Sequence, residues 1–351
     1  MRTITSRLLI ATVLMTLATL TGCPKGKLPG GGGVPGGDLT GGRGVPGVGG
    51  GESGLVDPNS CGNYAASDTG RKLRDFLSAT TNLATQAEET AKIVKQSCIM
   101  MGNELGFTEA DYTGETKDIC AKVWGRFNEY RTVSFKAKGS LTIKYKPAVC
   151  RVNVQAQAEA AAQCEGKASA DIKASCSGTC RGTCDGTCAG KAGTGGSGGQ
   201  CNGQCNGTCK GECEGSADVN ASAQCKAHAS VNASASMECT EPELDVSMNA
   251  KLAVDTSKAE MVVKALKNGV PRLLSVKARL EPLNYAFKVW AGTAKDLAGQ
   301  PQKIAMSFKD QAQCIAGQIA AVGSMVPRIE ANISVSVEVS ASASGSVGGG
   351  A

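Results

Sequence analysis

Twelve cysteines in the middle of this chain form six pairs whose residue numbers all add up to 389. A constant sum is typical of an antiparallel hairpin in fixed register, since each step outward on one arm is matched by a step on the other. Two inner runs spaced Cys-x-x-x-Cys would match in any end-to-end alignment, but the two outer pairs are independent of that repeat. The sequence therefore predicts a long hairpin with its tip at Ala189 to Gln200. The predicted disulfides are Cys150–Cys239, Cys164–Cys225, Cys176–Cys213, Cys180–Cys209, Cys184–Cys205 and Cys188–Cys201.

Hydrophobic residues nearer the base of the hairpin indicate the same register. The facing pairs would be Tyr145 with Leu244, Ile143 with Val246, Leu141 with Met248 and Phe135 with Val254. Pro147 and Pro242 share the sum too, and because proline cannot donate to a ladder, pairing should fail there on both arms. Beyond the prolines, alternating apolar residues predict strands over 152–158 and 231–237. Glycines would face each other between the cysteines as Gly178–Gly211, Gly182–Gly207 and Gly186–Gly203. A straight ribbon of this length would reach roughly 200 Å.

Helical periodicity flanks the hairpin. Apolar residues recur at three- and four-residue spacing from Leu73 to Met101, with Ser67 and Asp68 as candidate caps, and a shorter helix fits Glu115 to Tyr130. Further helices are predicted between 257 and 325, broken at Asn268 to Pro271, at Pro282 and at Gly299 to Pro301. We therefore predict one α+β unit: a small helical bundle with a long antiparallel β-hairpin inserted between its halves.

The C-terminal run alternates apolar residues with serine or glutamate. Ile333, Val335, Val337, Val339, Ala341 and Ala343 fit this pattern. Alternation predicts a third strand beside the returning arm of the hairpin. The predicted segments are 1–22 signal peptide, 23–60 flexible Gly/Pro-rich tether, 61–132 first half of the bundle, 133–256 hairpin, 257–327 second half of the bundle, and 328–351 C-terminal strand with a Gly-rich tail.

The chain begins with a basic and then apolar segment that ends in a cysteine. Arg2 and Arg7 precede an apolar run from Leu8 to Leu20, and Leu20-Thr21-Gly22-Cys23 follows. This segment resembles the signal peptide of bacterial lipoproteins, which implies that Cys23 is lipidated and becomes the mature N-terminus. An ordinary secretory signal or a short anchor is the alternative, although thirteen residues are too few to span a bilayer. Proline rather than aspartate at position 24 implies sorting to the outer membrane, on either its periplasmic or its outer side.

Loss of Cys23 to lipid leaves sixteen cysteines in a compartment that permits disulfides. Zinc or copper thiolate sites are the alternative, but the spacing is unusual for zinc, the chain holds only His228, and metal binding does not explain the mirrored outer pairs. We therefore expect no metal and no cofactor. Cys98 and Cys120 end and begin neighbouring helices and so pair most naturally, which leaves Cys61 with Cys314, one of three possible connectivities.

Chemical motifs do not indicate an enzyme. No nucleophile stands in a recognisable setting, His228 reads as an exposed structural residue, and Gly193 to Gly199 reads as a flexible tip rather than a phosphate loop. Aromatic residues, at 4%, are too few for nucleic-acid stacking. Lys136, Lys138 and Lys144 form a basic edge, either solvated or in contact with anionic polysaccharide or lipid headgroups.

The leading functional hypothesis is a non-enzymatic outer-membrane lipoprotein. Its lipid would hold the membrane, and its rigid stapled arm would serve adhesion, scaffolding or spacing against an envelope or cell-surface protein or polysaccharide, with no nucleic-acid partner. The alternative is a subunit of an oligomeric envelope pore or export assembly.

Overall fold

The computed structural model describes residues 56–135, 140–190 and 199–348, and it has the predicted α+β composition. Its α-helices are α1 Asp68–Glu104, α2 Thr116–Ser134, α3 Val154–Glu165, α4 Ala223–Ala235, α5 Thr256–Ala298, α6 Pro301–Ala305 and α7 Ala312–Gly348. Its strands are β1 Leu141–Lys146, β2 Cys150–Asn153, β3 Ala174–Cys176, β4 Thr179–Gly190, β5 Gly199–Glu214, β6 Ala217–Val219, β7 Glu238–Cys239 and β8 Glu243–Met248. Short 3-10 turns cover Glu109–Tyr112, Ser169–Asp171 and Met306–Gln311.

Helices α1, α5 and α7 pack against one another, and α2 packs on α1 and α5. The apolar stripe predicted for α1 is the face that enters the core, where Phe76 and Leu83 are fully buried in one cluster with Trp290 and Leu273 of α5. The predicted cap Ser67 accepts a hydrogen bond from the amide of Gly70. Two disulfides join this bundle, Cys98–Cys120 between α1 and α2, and Cys61–Cys314 between the N-terminal segment and α7.

Helix α5 continues through two of the three predicted breaks. Pro271 and Pro282 both lie inside its 43 residues, and the helix ends only at Gly299. A proline inside a helix costs roughly 3 kcal/mol because it removes one hydrogen bond and crowds the preceding turn. Around Pro271 the buried side chains of Val270, Leu273 and Leu274 secure the helix against α1, so burial outweighs the local penalty.

The predicted C-terminal strand is wrong, since residues 312–348 form α7. The buried residues of this run are Ile329, Ile333, Ser336, Val339, Ser340 and Ala343, and each lies three or four residues from another of the set. Serine is small enough to enter the core, and the Ser336 hydroxyl donates to the carbonyl of Asn332. The buried face of the helix therefore includes serines, which a reading of the alternation as a strand assigns to the solvent side. Val337, which strand periodicity would bury, is 43% exposed.

The base of the hairpin has the predicted register. Strands β1 and β8 pair Ile143 with Val246 and Tyr145 with Leu244, and β2 and β7 pair Cys150 with Cys239. Between the two ladders the strands stop at the segments that contain Pro147 and Pro242. The prediction of a joint at the prolines is therefore confirmed.

Beyond that joint the predicted strands over 152–158 and 231–237 are wrong, because most of both stretches lies in α3 and α4. Both are rich in alanine, the strongest helix former. Asn153 caps α3 by accepting from the amide of Ala156. Cys164–Cys225 thus joins two helices. Helix α4 packs on α1 and α5, so the arm lies along the bundle instead of extending as a straight ribbon.

Candidate functional site: a coil with a disulfide core

Strands β4 and β5 form a two-stranded coil, which we call the coil hereafter. In one register Cys180 faces Cys213, Cys184 faces Cys209 and Cys188 faces Cys205. In a second register Thr179 to Cys184 also pair with Gln204 to Gly199 of the same strand β5. Thr179, for example, pairs with both Glu214 and Gln204, which lie ten residues apart. Strand β4 is therefore hydrogen-bonded on both sides by two parts of β5, and the ribbon closes on itself.

Four disulfides fill the interior of this coil. They join Cys176–Cys213, Cys180–Cys209, Cys184–Cys205 and Cys188–Cys201, with Cα–Cα distances of 5.7 to 6.0 Å. Cys180, Cys184, Cys209 and Cys213 are at most 1% exposed. These are the pairs that the sequence predicts, but the predicted backbone register is wrong here. The hydrogen-bonded partner of each bonded cysteine lies four residues further along β5, so the bonds run diagonally.

Glycine at every fourth position permits this coiling. Gly186 and Gly207 face each other with φ angles of 155° and 157°, which side chains with a Cβ rarely adopt. A Cβ at Gly186 would overlap the carbonyl oxygen of Asn206, and one at Gly207 would overlap that of Asp185. The facing glycines are therefore shifted from the predicted pairs by the same four residues. Their lack of side chains lets the strands approach closely around the sulfur core.

The outer surface of the coil is polar and carries ion pairs of both signs. The Lys210 ammonium lies 2.8 Å from the Asp185 carboxylate, and the Arg181 guanidinium lies 2.5 Å from Glu214. Arg151 of β2 also reaches Glu214 at 3.3 Å, which connects the coil to the base of the hairpin. The basic partners are each at least about a third exposed, so each pair contributes only about 0–1 kcal/mol. The arrangement keeps the surface hydrated and near neutral.

Two adjoining clefts of about 550 Å³ each lie beside the coil and meet at Lys173, Asp185 and Thr208. The first extends to Asp218 and Lys226, whose charged groups are 2.7 Å apart. The second is lined by apolar side chains of Val154, Ala158 and Ile172 together with Lys210. Because the acidic and basic groups compensate each other, the clefts suit a neutral polar ligand better than a strongly charged one.

We call the part of the hairpin beyond the proline joint, residues 150–190 and 199–239, the coil module; a buried ion pair joins it to the bundle. The Glu165 carboxylate at the end of α3 is 5% exposed and lies 2.8 Å from the Lys72 ammonium of α1. It also accepts from the Ser222 amide at 2.5 Å. Burial alone would raise the pKa of Glu165, but the hydrogen bonds from Lys72 and Ser222 outweigh burial and lower this pKa to about 2. The pair stays ionised throughout the neutral range.

Two further contacts join the module to the bundle. Burial, followed by a hydrogen bond with Asp218, raises the pKa of Tyr285 on α5. His228 is half-buried rather than exposed as predicted, with Nδ1 3.0 Å from the carbonyl oxygen of Asp75 and Nε2 3.0 Å from the Asn232 amide. Burial lowers the pKa of His228, which favours the neutral imidazole, and its ring connects α4 to the Asp75 carbonyl of α1.

Other candidate residues divide between described and undescribed parts of the chain. Cys23, Lys136 and Lys138 lie outside the described residues, while Lys144 is exposed on β1. Sequence reasoning missed Glu165 and Lys226, although each directly follows a cysteine of the Cys164–Cys225 pair, which was a usable signal. The described part of the chain contains no group of three or more metal-ligating side chains. Across residues 56–135, 140–190 and 199–348, no helix combines the length and the hydropathy that a bilayer span needs.

Comparisons of the chain with models of known protein families, with curated proteins and with solved structures found no match.

Proposed function

We propose that this protein is a non-enzymatic lipoprotein of the bacterial outer membrane, held by lipid on Cys23, that presents the coil as a rigid contact element for another component of the envelope or cell surface. The observation that carries the proposal is the coil itself. Four nested disulfides fill its interior, while its outside carries hydrated ion pairs and adjoins one polar and one partly apolar cleft.

The redox state of the cysteines supports a location outside the cytoplasm. All sixteen cysteines of the described chain are joined in eight disulfides, which indicates an oxidising compartment. The same pairing leaves no free thiolate among them for nucleophilic catalysis. The lipid anchor at Cys23 follows from the resemblance of residues 1–23 to lipoprotein signal peptides.

Packing of the arm favours adhesion or scaffolding over long-range spacing. Helix α4 and strand β8 both contact α5, so most of the arm lies against the bundle and does not extend away from it. Only the coil, which is short and rigid, is then available to contact a partner. Preorganisation of that element by disulfides lowers the entropy lost on binding, which raises affinity without additional contact area. The partner class is an envelope or cell-surface protein or polysaccharide.

Site-specific cross-linking in intact cells tests this role. A photoreactive amino acid at Thr187 or Asn206, both exposed on the coil, is expected to capture a defined partner. The matched control is Glu89, which is exposed on α1 of the bundle. Adducts analysed by electrophoresis and mass spectrometry should form at least tenfold more at the coil positions. Equal capture at all three positions would contradict a contact role for the coil.

Substitution of the predicted lipidation site tests the anchor. Cys23→Ala is expected to move nearly all of the protein from the membrane fraction to the soluble periplasmic fraction or medium, because a second acylated cysteine is not predicted. Fractionation with immunoblotting measures this change. As the control, the Cys23→Ala variant is given a second, unrelated lipoprotein signal, which should return it to the membrane fraction. A variant that stayed in the membrane fraction would show that lipid on Cys23 is not the anchor.

A further inference from the structure

Six cysteines in the coil each have two cysteine neighbours. One neighbour is the disulfide partner, and the other is the residue directly opposite in the strand pairing. Cys188 is bonded to Cys201 but faces Cys205, and the same offset recurs along the coil. The facing pairs are Cys188 with Cys205, Cys184 with Cys209, and Cys180 with Cys213.

The bonded pairs and the facing pairs both have a Cα separation that a disulfide accepts. Directly opposite residues of an antiparallel pair have Cα atoms about 4.5–5.5 Å apart, within the roughly 4.4–6.8 Å that disulfides accept. The existing bonds have Cα–Cα distances of 5.7 to 6.0 Å. Opposite residues also point to the same side of a sheet, and five of the six facing cysteines are at most 5% exposed in the interior. A second set of bonds is therefore compatible with the strand pairing already present.

We propose that the coil is a thiol–disulfide relay, in which a two-electron reduction at its tip moves every bond by one place and delivers a thiol to Cys176 at its base. The four present bonds would be replaced by three, Cys188–Cys205, Cys184–Cys209 and Cys180–Cys213. Cys201 and Cys176 would become the two free thiols. This activity is independent of the lipid anchor and of any partner of the outer surface.

Entry at the tip follows from exposure, because Cys188 is the partly exposed member of a set that is otherwise buried. The thiolate of a dithiol reductant attacks the Cys188 sulfur, forming a mixed disulfide and releasing the Cys201 thiolate, which takes a proton. The second thiol of the reductant then closes onto the first, so the reductant leaves as a disulfide and the Cys188 thiolate is freed.

Three exchanges follow, each between facing residues. The Cys188 thiolate attacks Cys205 and releases Cys184. The Cys184 thiolate attacks Cys209 and releases Cys180. The Cys180 thiolate attacks Cys213 and releases Cys176, which takes the second proton. One reductant disulfide is formed, four coil disulfides become three, and two thiols appear, so electrons and protons balance.

Partial reduction of the full-length protein tests the relay. One equivalent of dithiothreitol is added at neutral pH, the reaction is quenched with acid, and free thiols are alkylated before non-reducing proteolysis and mass spectrometry. We expect alkylation of Cys176 and Cys201 together with the Cys188–Cys205 peptide. Alkylation confined to Cys188 and Cys201, with the other three bonds unchanged, would overturn the proposal. Even labelling of all eight cysteines of these four bonds would overturn it as well.

Two reciprocal variants trap the relay without a reductant. Cys201→Ser leaves Cys188 unpaired, and the relay predicts the free thiol at Cys176 instead. Cys176→Ser leaves Cys213 unpaired, and exchange in the opposite direction predicts the free thiol at Cys201. Thiols that stay at Cys188 and Cys213 would contradict the relay. The matched control is Cys164→Ser, whose thiol should stay at Cys225 because that residue lies in α4 and has no facing cysteine. If a variant fails to fold, the partial reduction of the unmodified protein decides.

Discussion

Lys72→Met is expected to lower the free energy of unfolding by about 3–5 kcal/mol, because it leaves the buried Glu165 carboxylate without its cationic partner. The Ser222 amide still donates to the carboxylate but carries no charge to compensate it. Urea unfolding with the disulfides intact, followed by circular dichroism, measures the change. Since this pair joins α1 to the end of α3, the effect would show how strongly the coil module depends on the bundle.

The double variant Lys72→Met/Glu165→Gln is the control for that substitution. It removes both charges, so most of the lost stability should return. The effect should also depend on pH. Because the pKa of Glu165 is lowered to about 2, the unmodified protein holds this contribution above about pH 4.5 and loses it as the pH falls toward 2. In Lys72→Met the penalty should shrink on acidification, and a penalty that is constant from pH 7 to pH 3 would contradict this account.

Trp290→Ala is expected to cost about 3–5 kcal/mol, the range for removing a large buried aromatic side chain. Trp290 is fully buried on α5, lies parallel to Phe76 with ring centroids 6.3 Å apart, and donates from Nε1 to the Thr80 hydroxyl at 2.8 Å. Both partners belong to α1. The indole therefore joins two long helices of the bundle by packing and by a buried hydrogen bond, and chemical denaturation measures its contribution.

Thr80→Val separates these two contributions. It keeps the volume near the indole but leaves the Trp290 N–H buried without an acceptor, which should cost about 1–3 kcal/mol. A double-mutant cycle with Trp290→Phe should show a coupling of about 1 kcal/mol. Additive effects within error would mean that the hydrogen bond contributes little and that packing alone secures the pair.

Sequence symmetry was sufficient to predict which cysteines are bonded, yet insufficient to predict the backbone between them. Near the base, where apolar residues alternate, the cysteine register and the strand register agree, as Cys150 and Cys239 show. In the coil they differ by four residues because Gly186 and Gly207 allow the ribbon to bend around its own disulfides. A four-residue repeat preserves which side of a strand each side chain occupies, so the pattern alone permits both registers.

Helical segments were missed where small residues made the periodicity ambiguous. The alanines around Ala161 and Ala229 fit either a strand or a helix face, and only packing on the bundle selects the helix. The strand pattern predicts that Ser336 and Ser340 are on its polar side, but both are fully buried in α7. The clefts depend on the placement of Lys173 and Asp218, which lie 45 positions apart, and no local pattern indicates that they meet.

Closure of the coil has a consequence for solubility. An open two-stranded ribbon exposes a row of unpaired amides and carbonyls along each outer side, and such rows template aggregation with other chains. Between Thr179 and Cys184 both sides of β4 are already occupied by β5. A glycine-rich strand with few charges can therefore stand at the surface of the protein without recruiting a second copy of itself.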